Sequence, residues 1–463
     1  MSVRHVLTRL AASGGTAALS GRARLTVALG GADRARVVLV LAGVLGLSSA
    51  DAATVGASAT ELRHALGIGN THLGLLVTVT SLVGAMATLP FGVLADRVRR
   101  TWVLSAAVAC WGAAMIWSAT AGGFGDLLLA RLFLGVATAA AGPLIASLTG
   151  DYFPGSERGR VYGYILTGDL VGAGVGFGIT GDIATLSWRA AFILLALPAF
   201  GLAWAVARLP EPARGGGAPR PAGLAGPAGK EAARGELSLL AAARYVLRIR
   251  TNLILIIASA CGYYFLAGVE IFGNEFAKSQ YHVNQVVASL VLLLLGAGAI
   301  PGVLAGGAAG DFLLRRGRPD GRVLVSALAA TATVVLFIPA IFARGLIAAL
   351  PYLVGAAFCL AAQNPPLDAA RLDIMPAPLW GRAESIRTVL RSFAQALAPL
   401  LFGAVADHVF GGGRAGLQWT FAVMLVPLAA SAVLLYRAMR TYPADAAAAG
   451  EYPRPHPGQE TIC

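Results

Sequence analysis

Long apolar segments dominate this 463-residue chain, and their length restricts its fold more than any other feature. Helical runs of about 20 residues match the hydrocarbon core of a bilayer. Hydrophobic residues make up 57% of the chain and charged residues 13%, a balance outside the range of soluble proteins. Because the bilayer core offers the backbone no hydrogen-bond partners, such segments have to cross it as helices. We therefore expect an all-α membrane protein.

Twelve apolar runs are separated by charged or Gly- and Pro-rich breaks. We number the predicted spans one to twelve and place them at 37–57, 72–94, 101–120, 125–147, 160–182, 188–207, 252–273, 284–308, 322–343, 346–370, 382–406 and 416–437. An even number of spans puts both chain termini on the same side of the membrane.

The basic residues identify that side. Of the 36 Lys and Arg residues, 28 fall in the two tails and the even-numbered loops. The positive-inside rule then predicts a multi-pass protein of the cell (inner) membrane with both termini cytoplasmic. The same distribution explains the net charge of +13, so we expect no nucleic-acid partner.

A Pro-, Gly- and Ala-rich stretch divides the chain into two halves, and its composition suits a flexible linker. Directly after it, Arg244 and Arg248 lie one helical turn apart among apolar residues, which predicts a helix in the membrane interface. The expected domains are an N-terminal tail at 1–36, a six-helix bundle at 37–208, the linker with its interfacial helix at 209–250, a second six-helix bundle at 251–438 and a C-terminal tail at 439–463.

The two halves repeat the same loop motifs, which supports the division independently of hydropathy. The loops after spans four and ten share Asp-x-x-Pro followed by Gly-Arg, each member displaced by 222 residues: Asp151, Pro154, Gly159 and Arg160 against Asp373, Pro376, Gly381 and Arg382. The loops after spans two and eight share Gly-x-x-x-Asp followed by arginines, at Gly92 and Asp96 and at Gly307 and Asp311. We expect the bundles to be related by a pseudo-twofold axis.

These motifs resemble the major facilitator superfamily. The loop after span two reads Gly92-Val93-Leu94-Ala95-Asp96-Arg97-Val98-Arg99-Arg100, close to that family's G-x-L-A-D-R-x-G-R-K, and span four has its Arg-x-x-x-Gly pattern at Arg131 and Gly135. Among subfamilies the chain is most similar to spinster-type and neighbouring prokaryotic exporters, on Asp51, Arg131 and the run from Pro143 to Arg158. The acid that spinster members carry seven residues after that arginine is Thr138 here.

The resemblance implies a fold of two pseudo-symmetric six-helix bundles and a secondary transporter that works by alternating access. It also implies a conformational latch on the cytoplasmic side, in which Asp96 meets the start of span eleven and Asp311 meets the start of span five. The expected latch residues are Gly92, Asp96, Arg97, Arg100, Asp311, Arg160 and Arg382.

Charged residues inside spans are the candidates for function, because each costs about 2.5 to 3.5 kcal/mol at mid-membrane. Asp51 lies about 20 Å along span one and Arg131 about 9 Å from the outer end of span four, so their depths coincide in a core of about 30 Å. We predict that Asp51, Arg131 and Asp169 serve proton coupling. The alternative for Asp51 and Arg131 is a structural ion pair that never opens.

The 222-residue displacement maps Asp169 onto Arg391, which places an acid and a base at equivalent midplane positions, where such transporters bind substrate. Predicted substrate-binding residues are Arg391, Arg387, Glu384, Glu270, Tyr263, Tyr264, Gln363 and Asn364. Three alternatives remain open. Glu384 and Arg387 extend to the cytoplasmic interface, Glu270 is solvated near the outer interface, or the tyrosines and amides only pack in the core.

The sequence contains no catalytic signature and no phosphate-binding loop, so we expect neither an enzyme nor a cofactor or metal. The predicted function is proton-coupled export of a small amphiphilic or anionic organic molecule, with lipid and protons as further partners and a monomeric protein. Proton-coupled uptake of a nutrient or metabolite fits the same charges. A non-transporting membrane sensor or scaffold on this fold is the alternative from another class, and it should lack midplane charges in both halves.

Overall fold

The computed structural model describes residue 26 and residues 31–68, 70–214, 239–411 and 413–449, and in these it consists of helices joined by short turns. The predicted all-α architecture is confirmed. The spans are Ala32–Ala57, Asn70–Arg97, Arg100–Thr120, Phe124–Thr138 with Ala141–Tyr152, Arg158–Val175 with Gly181–Leu186, Trp188–Ala207, Arg250–Tyr281, Gln285–Arg315, Gly321–Phe342, Leu346–Ala362 with Asn364–Asp373, Trp380–Ala404, and Gly413–Ala449. Most of the predicted N-terminal tail, linker residues 215–238 and the chain from 450 onward lie outside the described residues.

Span five is less apolar than the other spans. Eleven helical segments in the described part of the chain are long and apolar enough to cross a membrane, and span five is not among them. Arg158–Val175 carries Arg158, Arg160 and Asp169, and it continues through a single π-helical turn at Gly176–Thr180. Because span five packs against spans one and eight, protein rather than lipid surrounds much of this helix.

Each half has its own packed core. In the N-terminal bundle, Leu41, Trp111 and Leu144 from spans one, three and four are buried together. In the C-terminal bundle, the rings of Phe265 and Phe402 from spans seven and eleven lie 6.5 Å apart in an aromatic cluster. Lipid tails are as apolar as these side chains, so close packing rather than the hydrophobic effect holds the helices together.

The bundles meet where span two packs on span eleven and span five packs on span eight. At one end of the molecule, which we call the latch side, Asp96 accepts hydrogen bonds from the backbone N–H groups of Gly381 at 3.0 Å and Arg382 at 3.2 Å. A methyl group on Gly92 would lie 2.9 Å from the carbonyl oxygen of Gly381, so this contact requires glycine. The carboxylate of one bundle thus caps the first turn of a helix in the other.

The second junction repeats this arrangement with the bundles exchanged. Asp311 of span eight accepts from the backbone N–H groups of Gly159 at 3.1 Å and Arg160 at 2.7 Å, and it also bonds the guanidinium of Arg322 at 2.6 Å. A methyl group on Gly307 would collide with the carbonyl oxygen of Gly159. Both junctions contain residues that were predicted to form a latch, and both lie at the latch side of the molecule.

Two residues of the predicted latch, Arg97 and Arg100, make no hydrogen bond to the opposite bundle in the described part of the chain. Arg97 is exposed, and no hydrogen bond joins it to the other bundle in the described part of the chain. Arg100 is buried inside its own bundle, where it bonds Asp151 and, at 2.9 Å, Glu211. Burial favours the neutral acid, but hydrogen bonds from Thr101 and Arg100 outweigh it and lower the pKa of Glu211. Arg100 therefore ties spans three and four to the end of span six and does not cross the interface.

The two capping carboxylates generate a prediction about conformation. Asp96→Asn or Asp311→Asn removes a charge that strengthens two backbone hydrogen bonds, and each charge-assisted bond contributes about 1.5–3 kcal/mol. We expect either variant to raise the population of states open at the latch side by about tenfold or more, and the double variant to raise it further. Distances between spin labels on the latch-side ends of spans four and ten would widen.

Asp407→Asn is the matched control, because this exposed aspartate lies in a π-helical turn at the opposite end of span eleven. Distance distributions that stay unchanged in both latch variants would contradict the assignment.

Candidate functional site

Asp169 and Arg391 lie near each other on spans five and eleven, which belong to opposite bundles. Asp169 follows the start of span five by eleven residues and Arg391 follows the start of span eleven by eleven, about 16 Å along each helix. The two side chains lie within electrostatic range of each other, and both residues are partly exposed. Ser49 of span one donates a hydrogen bond to Asp169. The structure therefore brings together the acid and the base that the internal repeat paired.

Arg391 presents a cation with spare hydrogen-bond donors. Its guanidinium carbon lies 4.3 Å from the ring centroid of Tyr263, a cation–π contact that orients the plane of the group. Its buried Nε–H has no acceptor among the described residues. A guanidinium held in this way can bind a carboxylate or phosphate through two parallel hydrogen bonds.

Glu270 of span seven adds a second carboxylate near the same place. Protein surrounds the carboxylate on most sides, yet the residue is solvent-exposed, and it lies within electrostatic range of Asp169. No ion pair joins it to another described residue. Glu270 is therefore a second acidic group close to Asp169.

Asp51 and Arg131 form a buried ion pair inside the N-terminal bundle. Nη1 of Arg131 lies 2.9 and 3.0 Å from the two carboxylate oxygens, and the residues are 4% and 3% exposed. The guanidinium also stacks 4.6 Å from the ring centroid of Phe192, and its Nη2 has no acceptor among the residues that the structure describes. Both members of the pair are therefore enclosed by protein.

Glu384 and Arg387 do not extend to the interface, which corrects one of the alternatives above. They close a buried ring of four charges with Asp368 and Arg371 of span ten. Arg371 bonds Asp368 at 2.7 Å and Glu384 at 2.8 Å, and Arg387 bonds Glu384 at 2.5 Å and Asp368 at 3.1 Å. Ser259 of span seven accepts a further bond from Arg387 at 3.2 Å. With two positive and two negative charges the ring is formally neutral.

Sequence reasoning missed Arg371 because the predicted span ten ended at residue 370, and it overlooked Asp368, which lies inside that predicted span. The sequence nevertheless contains a signal for this ring of charges. Each of the two helices carries an acid followed three residues later by an arginine, at Asp368 and Arg371 and at Glu384 and Arg387, and this spacing puts both on one helix face.

Two of the predicted substrate residues pack inside the C-terminal bundle instead. Tyr264 is buried in the aromatic cluster, and its hydroxyl contacts the sulfur of Met424 at 3.0 Å. Gln363 is 1% exposed at the break in span ten, where its backbone oxygen accepts from Ser326 at 3.1 Å and Asn364 begins the next helix. These contacts favour the core-packing alternative for Tyr264 and Gln363, whereas Asn364 is only half-buried.

A second missed set lies at the latch side and follows the internal repeat. Arg100 pairs with Asp151 in the N-terminal bundle, and Arg322 pairs with Asp373 in the C-terminal bundle, at positions 222 residues apart. Asp373 also bonds Arg158 of the opposite bundle at 3.4 Å. The repeat that aligned the loops contained this signal, since both members of each pair are displaced equally.

The ring of four charges generates a prediction about stability. Glu384→Gln leaves two guanidiniums with one carboxylate in a buried site, and breaking a buried pair in this way costs about 3–5 kcal/mol. We expect a large drop in the thermal unfolding midpoint of the detergent-purified protein. Glu275→Gln is the control, because this glutamate pairs with Lys278 on an exposed surface, where loss of the charge changes little. Equal midpoints for the two variants would contradict the proposed contribution of the ring.

Comparison with known proteins adds sequence and fold relationships. The family profile described as Major Facilitator Superfamily matches residues 41–362. The "Hexuronate transporter" of Bacillus subtilis (strain 168) is 29% identical over 169 residues, 36% of this chain and 39% of that protein. "Protein spinster" of Drosophila melanogaster is 25% identical over 180 residues, 38% of this chain and 30% of that protein.

A solved structure of the proton:xylose symporter XylE superimposes with a TM-score of 0.68 at 14% identity, covering 87% of this chain and 95% of the other. This likeness concerns the fold. The matches to the two sequence relatives span 39% and 30% of those proteins' lengths.

Proposed function

This chain belongs to the major facilitator superfamily, and we propose that it is a secondary active transporter that moves a small anionic or amphiphilic organic molecule by alternating access. The predicted fold of twelve helices in two pseudo-symmetric bundles is confirmed, as is the resemblance to spinster-type proteins, through the match to Protein spinster. The protein is an integral, multi-pass membrane protein.

The observation that carries the proposal is the juxtaposition of Asp169 and Arg391 at equal depth in opposite bundles. A charge in mid-membrane is retained where it faces a partner, water or a substrate. A site shared by two bundles changes its access when the bundles rock, which is the requirement of alternating access. A non-transporting sensor on the same fold would have no need for such charges in both halves.

An anionic group suits the site because Arg391 is fixed on Tyr263 with an unpaired donor. The relative named as a hexuronate transporter points to the same chemistry, since a hexuronate is a sugar acid with a carboxylate. An amphiphilic substrate would place its anionic group on Arg391 and its apolar part between the bundles.

The orientation follows from the basic residues. We assign the latch side to the cytoplasm of an inner-membrane protein, because 28 of 36 Lys and Arg residues fall in the tails and even-numbered loops. In this orientation, the two latch contacts close the proposed site to the cytoplasm. The protein acts as a monomer in this proposal, since both halves of the site come from one chain.

Protons are the proposed coupling ion, with Asp51 as the first candidate carrier and Asp169 as the second. A carboxylate that alternates between an arginine and water binds a proton more readily when the arginine moves away. Export is the favoured direction, and proton-coupled uptake is the alternative. Transport into vesicles under imposed pH gradients of each sign separates the two.

Arg391 provides the test of substrate binding. Arg391→Ala should weaken binding of an organic anion by about 10- to 100-fold, the equivalent of a charge-assisted hydrogen bond of 1.5–3 kcal/mol. Arg391→Lys should fall in between, because lysine keeps the charge but loses the planar fork. Thermal-shift titration of the purified protein with glucuronate, galacturonate and anionic amphiphiles measures the affinities.

Arg344→Ala is the matched control, because Arg344 is an exposed arginine in the loop between spans nine and ten. Wild-type affinity in a folded Arg391→Ala variant would refute the binding role.

Asp51 provides the test of coupling. Asp51→Asn cannot exchange a proton, so transport driven by a pH gradient should disappear, whereas substrate exchange without net proton movement should remain. Proteoliposomes preloaded with the substrate found above allow both measurements on one preparation. Loss of both activities would favour the structural ion pair, and retention of both would exclude Asp51 as the carrier.

A further inference from the structure

The helix Leu239–Arg248, which follows the linker, has one face against the protein and one face outward. Ala242 and Val246 are buried in a cluster that includes Trp380. On the opposite face, Leu240 is 73% exposed, and the arginines that predicted an interfacial helix, Arg244 and Arg248, are also exposed. Exposed leucine beside exposed arginine is typical of a helix that lies in the membrane interface.

A groove opens at the end of this helix, where it meets the first turn of span seven and the last part of span twelve. The hydroxyls of Thr251 and Thr441 lie 2.5 Å apart and join the two spans here, and Asn252 bonds the backbone oxygen of Val246 at 3.0 Å. The groove is lined by Tyr245, Arg248, Ile249, Arg250, Thr441 and Asp445.

The length of span twelve places the groove at the level of lipid headgroups. Span twelve has 37 residues and is therefore about 55 Å long, well beyond a hydrocarbon core of about 30 Å. Thr441 and Asp445 are in the part that extends past the core on the latch side. Arg250 is the first residue of span seven, at the same boundary.

Positive charge dominates the surroundings. Segments 239–250 and 437–449 carry one acid, Asp445, against five exposed arginines: Arg244, Arg248, Arg250, Arg437 and Arg440. No ion pair engages Arg248 or Arg250 within the described part of the chain. Burial, reinforced by the negative charge of Asp445, raises the pKa of Tyr245, so its hydroxyl stays protonated and can donate a hydrogen bond.

We propose that this groove binds the phosphate of an anionic phospholipid. Arg248 and Arg250 pair with the phosphate, Tyr245 donates to it, and the acyl chains lie beside the exposed Leu240 and Leu247. Basic pockets between membrane helices recognise anionic headgroups in this way. The site is separate from the transport site and holds the linker helix against spans seven and twelve.

The test measures lipid binding to the purified full-length protein by native mass spectrometry and thermal shift, with phosphatidylglycerol against phosphatidylcholine. Phosphatidylglycerol should bind more tightly. Arg248→Gln and Arg250→Gln should each weaken its binding by about fivefold, the effect of one basic residue near an anionic lipid surface. Asp445→Asn should strengthen it, because the variant removes the one negative charge of the groove.

Arg316→Gln serves as the control, since Arg316 is exposed in the loop after span eight, away from the groove, and this variant should bind lipid like wild type. Glycerol phosphate tests for a soluble phosphate ligand, and stabilisation equal to that by the lipid would overturn the lipid assignment. Equal binding of the two lipids would also overturn it, as would groove variants that bind phosphatidylglycerol like wild type. None of these outcomes bears on the Arg391 site.

Discussion

A charged group inside a bilayer has to be paired or reach water, and the architecture of this protein follows from that requirement. Asp96 and Asp311 are satisfied by helix ends of the opposite bundle, so the same bonds that neutralise them also join the halves. The ring through Glu384 and Arg387 is satisfied within one bundle and moves with it. Arg391 retains a donor without an acceptor among the described residues, and in our proposal this guanidinium binds the substrate.

The features that could be predicted from the sequence are those that recur along the chain, namely the apolar runs and the internal repeat. Apolar runs locate the spans, and the 222-residue repeat aligns Asp169 with Arg391. Contacts that depend on the rotation of one helix against another were not predictable. Arg100 bonds inside its own bundle, and Tyr264 points into an aromatic core, because helix packing rather than residue spacing determines which face meets which neighbour.

Span five shows why hydropathy alone underestimates the number of membrane-spanning helices in such a fold. Its arginines and aspartate lower its apolar character, yet they occupy positions where other spans supply partners, including Ser49 and Asp311. A methyl group on Gly172 would collide with the backbone of Gly46, so spans one and five approach at backbone distance. Span five therefore carries its polar residues on a helix that packs largely against other spans.

The glycine contacts of the two junctions have a consequence for kinetics. Gly92 lies against the backbone of Gly381, and Gly159 lies against that of Gly307, while the side chains of Ser385 and Asp311 fill the same contacts. The surfaces in contact at each junction leave no room for a water molecule. Water therefore cannot hydrate the groups of the junction one at a time. In the alternating access proposed above, each junction therefore has to separate as a whole before water fills it, and we expect the change to be cooperative. Hydrostatic pressure should therefore alter the rate of switching.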